Sequence, residues 1–142
     1  MDIVGTLFSF NGRLRRLHFW LFAIVLGIVN SIVGGLTFFP AVMAAAASGD
    51  PEQIMGAYTS PGGLIFWVWT LVTLWPSLAL DIKRLHDRNH SGWFLFIALI
   101  PIIGGLWLMI ELLFLDGTPG PNRFGPSPKG IGGPAPVEGA VT

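Results

Sequence analysis

No cysteine occurs among the 142 residues, which removes disulfides, thiolate zinc sites and cysteine nucleophiles and leaves the redox compartment open. Charge is the second shortage. Eight basic and eight acidic residues make up 11% of the chain, against roughly 25% in soluble proteins, so a water-soluble globule is not expected. Their balance leaves no basic surplus to displace counterions from phosphates, and nucleic acid is not an expected partner. Walker loops and Gly-x-Ser-x-Gly elbows are also missing. No enzymatic activity is assigned, and neither a cofactor nor a metal is expected.

What is present is apolar. Hydrophobic residues reach 52% and mean hydropathy is +0.66. Residues 17–49, 53–80 and 89–110 contain no Asp, Glu, Lys or Arg, and such gaps are long enough to cross a bilayer. The sequence predicts an all-α membrane protein with three transmembrane helices, His18–Phe39, Leu64–Leu80 and Trp93–Leu115, each near the roughly 20 residues that a ~30 Å hydrocarbon core requires. Pro40 ends the first clean stretch, and Ser48, Gly49, Asp50 and Pro51 supply turn chemistry. The second helix is expected to continue beyond the membrane, since Leu78, Ile82 and Leu85 keep helical spacing and Lys83 and Asp87 are set for an i,i+4 pair. Kinks are expected at Pro76, and at Pro101 with Gly104–Gly105. The basic start, apolar run and small residues Ala44 to Ala47 imitate a signal peptide, but an h-region is about 7–15 residues and this run is longer.

Lys and Arg number three before the first span, none in loop 48–61, three in loop 81–92 and two in the tail. Cytoplasmic loops retain such cations, which predicts the N-terminus inside and the C-terminus outside. Trp20, Trp67 and Trp93 fall near span ends, where indole rings favour the headgroup layer. From Asp116 to Thr142 the chain holds seven Gly and six Pro, and the expectation is an integral membrane domain over 1–128 followed by a disordered tail over 129–142.

Chemistry concentrates in two basic segments. Arg13, Arg15 and Arg16 precede the first span after the turn dipeptide Asn11-Gly12, as a short interfacial segment that meets anionic lipid headgroups. Asp81 to Trp93 holds Arg84, His86, Asp87, Arg88, His90 and Ser91. His86 and His90 lie four apart beside Asp87, a loose echo of the His-Glu-x-x-His zinc helix. Asp is shorter than Glu and Ser91-Gly92 breaks the helix, so helix-end capping is the reading adopted. A charge-assisted network of Arg13 or Arg16 with Asp81 or Asp87 is expected to join the two segments. Glu111 is the one ionisable residue well inside a predicted span, and an intramembrane carboxylate is a functional candidate by default. Its position about 6 Å from the span end moderates this. Gly27, Ser31 and Gly35 form a small-xxx-small pattern, suited to packing within the monomer or to a homo-oligomer.

Three motifs resemble the family of small bacterial inner-membrane proteins known as domain of unknown function 805. They are Phe10-Asn11-Gly12-Arg13-Leu14-Arg15-Arg16 with Phe19-Trp20; Arg84-Leu85-His86-Asp87 with Ser91-Gly92-Trp93; and Gly117, Gly120, Asn122, Arg123, Phe124 and Gly125. The resemblance implies a multi-pass protein of the bacterial inner membrane without an established activity. An interaction or assembly module organised by Arg13, Arg16, Arg84, His86 and Asp87 is the expected role, and a small transporter or channel component using Glu111 the alternative. By the charge count the third motif lies opposite the other two. If all three meet at one site, Trp93–Leu115 would have to be a re-entrant hairpin bent at Pro101 and Gly104–Gly105. A straight span satisfies every backbone group more simply and is the expectation.

Overall fold

The computed structural model describes residues 2–132. The last ten residues of the expected tail lie outside the described residues. Among the described residues the secondary structure is helical, with one isolated bridge between Asn122 and Gly125 and no strand. The helices are α1 (Ile3–Phe8), α2 (Arg16–Thr37), α3 (Phe39–Ser48), α4 (Pro51–Thr59), α5 (Pro61–Asp87), a 3₁₀ helix (Gly92–Leu99) and α6 (Ile103–Met109), which widens into a π-helical turn (Ile110–Phe114). Two of these, α2 and α5, are long and apolar enough to cross a bilayer. Contacts divide the chain into one unit of residues 1–22 with 76–142 and another of residues 23–75.

In the unit 23–75, α2 stops where expected, because Pro40 fits only the first turn of a new helix, α3. Gly49 at φ 70° ends α3. Asp50 then caps α4 by accepting from the Glu52 amide at 2.9 Å, with Pro51 in the first turn. The segment expected as a loop, 48–61, is thus mostly helix. Asn30 Oδ1 accepts from the Trp69 indole at 2.9 Å, satisfying two polar groups of the long apolar helices with each other. Phe38 stacks on Phe66 at 4.8 Å and meets Tyr58 edge-on at 5.2 Å. Of the small residues in α2, Gly34 is the one in close packing, since a Cβ there would run into Phe39 and Phe66. Gly27 and Gly35 have no neighbour that a Cβ would touch, and Ser31 turns back to the Gly27 carbonyl at 2.8 Å. Within the unit 23–75 the stripe is therefore not in close packing.

In the unit 1–22 with 76–142, Trp93–Leu115 is not one helix. Ile100 is extended (φ −75°, ψ 116°), as a residue before proline is constrained to be. Pro101 then opens a tight turn, in which Ile102 adopts φ 64°, ψ −63° and the Ile103 amide donates to the Pro101 carbonyl at 2.7 Å. This is the rare, strained hand of γ-turn. Beyond it α6 packs back on the 3₁₀ helix, so closely that a Cβ on Gly104 would strike the Ile97 carbonyl. The predicted third span is a helical hairpin, bent where Pro101 and Gly104 allow it.

Candidate functional site

The returning limb of the hairpin ends with carbonyls that have no partner further along the helix. Side chains from α2 and α5 take four in succession. Arg84 Nε donates to Leu112 O at 3.0 Å and its Nη2 to Leu115 O; Trp20 Nε1 donates to Leu113 O at 3.0 Å; Arg16 Nη1 donates to Phe114 O at 2.7 Å. Cations at a helix C-terminus also meet the negative end of its dipole.

Arg84 is fully buried, which would be costly for an unpaired charge. Its Nη1 reaches Asp87 Oδ2 at 2.6 Å, one helical turn away. The other carboxylate oxygen accepts from Arg13 Nε at 3.0 Å, and the side chains of Arg13 and Asp87 are each 2% exposed. One carboxylate therefore serves two guanidiniums, and carbonyls offset the surplus positive charge. Arg13 Nη1 donates to Gly120 O at 2.7 Å and Gly125 O at 3.3 Å, and Nη2 to Thr118 O at 2.8 Å. The strap 116–129 curls around this guanidinium. Left-handed Gly120 (φ 71°) lets the strap turn inward. Gly117 lies so close to Asp87 that a Cβ would enter its carboxylate. Thr118 donates its amide and hydroxyl to Asp87 O at 2.7 and 3.1 Å, and Asn122 Nδ2 bonds His86 O at 2.9 Å.

Of the residues singled out in the sequence, Arg13, Arg84, His86, Asp87 and Asn122 come together here. The joining ion pair falls to Arg13 and Asp87, with Asp81 in none of the ion pairs among the described residues. Arg16 instead serves the hairpin carbonyl. The expected Lys83–Asp87 pair does not form, because Lys83 Nζ donates to the last carbonyls of α1, Gly5 O and Thr6 O, while Asp87 is occupied. Ser91 precedes the 3₁₀ helix and its carbonyl accepts from Phe94 at 3.0 Å. Trp93 is 77% exposed and stacks on Phe96 at 5.5 Å, apart from the ion pairs. Arg123 donates to Asn89 O at 3.1 Å and lies over Phe124, 4.8 Å from its centroid.

His86 and His90 do not share a helical face. Asn89 takes φ 63°, the His90 amide reaches back to Leu85 O at 2.9 Å and the Asn89 amide to His86 O at 3.0 Å, which is a Schellman ending. His86 stacks on Phe124 at 3.9 Å, its Nδ1 3.0 Å from Gly12 O, and His90 stacks on Phe94 at 4.3 Å. Glu111 is buried, yet it faces the charged loop. Its Oε2 accepts from Arg88 Nε at 2.8 Å and stands 3.6 Å from His90 Nε2. Sequence reasoning missed Arg88 as its partner; the signal was an arginine left over in the same charged loop. Outside the membrane segments, Asp116 is held below its usual carboxylate range, chiefly by a hydrogen bond from Lys129 at 2.5 Å.

Residues 7–126 match the family described as "Protein of unknown function (DUF805)". Among curated relatives, "Inner membrane protein YhaH" of Escherichia coli (strain K12) is 32% identical over 131 residues, covering 91% of this chain and 94% of the relative. "Inner membrane protein YhaI" of the same strain is 30% identical over 130 residues, covering 91% and 93%. No solved structure matches the chain.

Proposed function

The chain belongs to the DUF805 family, and from that premise we propose that it is a multi-pass protein of the bacterial inner membrane acting as an interaction or assembly module. In this reading the Arg13–Asp87–Arg84 cluster fastens the strap 116–129 to the membrane helices and presents a rigid surface on the cytoplasmic side. The observation that carries it is the enclosure of Arg13, whose guanidinium ties α5 and the strap to the N-terminal segment. Two spanning helices with a re-entrant 92–114 hairpin fit this enclosure better than three spans, because all three motifs then share one compartment. Glu111 is neutralised by Arg88, which supports an anchoring role over a transport relay.

The absence of native cysteine makes thiol labelling a clean test. Ser127→Cys, at a buried position in the strap, reacts slowly with a membrane-impermeant maleimide in the detergent-solubilised, otherwise native chain and at least about tenfold faster with Arg13→Gln, since losing one member of a buried pair costs ~3–5 kcal/mol. Equal rates refute the fastened strap. Crosslinking in intact inner membranes tests the assembly role: an adduct seen with the native chain and lost with Arg13→Gln supports it, and no adduct with the native chain overturns it.

A further inference from the structure

Beside the ion-pair cluster lies a groove of about 610 Å³, within the ~300–1,000 Å³ typical of small-molecule sites. Leu78 and Ile82 of α5 form one wall, and Trp93, Phe96 and Leu99 of the 3₁₀ helix the other. Gly92 permits the close approach of the walls, as a Cβ there would stand 3.3 Å from Ile82. Along α5 the lining passes from Leu78 to His86, with Asn11 also at the polar end, a change of character over about 12 Å of helix. The comparable groove of about 660 Å³ in the other unit, between Leu36 and Val72, shows no such gradient and no ionisable residue. A lipid-facing crevice of uniform character is served by any acyl chain, whereas a graded one fits an amphiphile held at both head and tail.

A cation adjoins the polar end, where His86 lines the groove. His86, Phe124 and Arg123 form a stack, and Arg123 has no carboxylate partner among the described residues. All eight Lys and Arg of the chain belong to this unit, against six of its eight acidic residues. We infer that the groove is a binding site for one anionic phospholipid, its acyl chain between α5 and the 3₁₀ helix and its phosphate against Arg123. The inference rests on the membrane reading above and deepens it, placing an anionic lipid at the edge of the proposed platform.

Trp93 reports occupancy directly. The full chain is placed in phosphatidylcholine nanodiscs containing increasing phosphatidylglycerol with brominated tails, and quenching is taken as the difference between the native chain and Trp93→Phe. Quenching saturates, with a half-point about five-fold lower than for brominated phosphatidylcholine, as one arginine facing anionic lipid should give. Arg123→Gln brings the two half-points together. Leu78→Phe with Leu99→Phe fills the tail region and leaves only unsaturable quenching, while thermal unfolding stays that of the native chain. Linear quenching in the native chain, equal half-points for the two lipids, or an unchanged preference in Arg123→Gln overturns the site. None of these substitutions touches Arg13 or Asp87. A failed lipid site thus leaves strap labelling unchanged, and a failed platform is read from the labelling alone.

Discussion

At the residue scale, the site depends on one carboxylate placed between two guanidiniums and on a glycine that leaves room for it. Asp87 receives Arg13 and Arg84, and Gly117 packs against the same oxygens. Gly117→Ala should destabilise the protein by about 1–3 kcal/mol, the usual cost of overpacking, measured by unfolding in detergent. An unchanged midpoint would show that the strap simply moves away. Farther out, Asp116 is about half exposed and paired with Lys129, so its effect on stability is slight, but its titration is informative. Its folded value lies below the ordinary one, so the pair's contribution is present above the ordinary carboxylate range and is lost as pH falls through the folded value. Lys129→Ala should raise the Asp116 pKa toward the ordinary value in an NMR titration. Arg13 and Asp87 were legible as candidates from their place in two basic segments. That Asp87, not Asp81, would be the acceptor was not, because both stand on the same helix and spacing does not reveal which faces the N-terminal segment.

Elements are decided by punctuation as much as by hydropathy. Proline, glycine and asparagine set the ends of α2, α3 and α5 through fixed φ, missing donors and left-handed backbone, and the Pro40 and Gly49 boundaries were readable for that reason. Trp93–Leu115 shows the limit of hydropathy. Its composition fits a span, yet Pro101 removes a helical hydrogen bond, and Gly104 accepts a neighbouring backbone that any side chain would exclude. Ile102 at the tip is β-branched, exposed and at positive φ, a conformation costing roughly 1–3 kcal/mol. Ile102→Gly should therefore stabilise the hairpin by about 1 kcal/mol despite glycine's greater freedom when unfolded. Thermal unfolding in detergent measures it, and a lower midpoint would show that the tip side chain contributes more by packing than its backbone costs.

For the whole molecule the question is which compartment holds each charged segment. With the strap around Arg13 and the hairpin carbonyls on Arg16, Trp20 and Arg84, the proposed topology of two spans and a re-entrant hairpin would place residues 13, 88 and 129 together in the cytoplasm. Reporters fused after residues 60, 90 and 132 should then read outside, inside and inside. An outside reading at 132 would restore three spans. Every cation then lies inside, which satisfies the retention of Lys and Arg more fully than the alternation of six against two.

Sequence alone determined the solvent of this protein, the two long helices and the family, because burial in lipid is a sum over each stretch and the three motifs are local. Only the tertiary structure decided what each arginine holds and which way the last apolar stretch runs. A guanidinium donates to any carbonyl or carboxylate in reach. Reach across the 74 residues from Arg13 to Asp87 is set by how helices pack, not by anything either segment carries by itself.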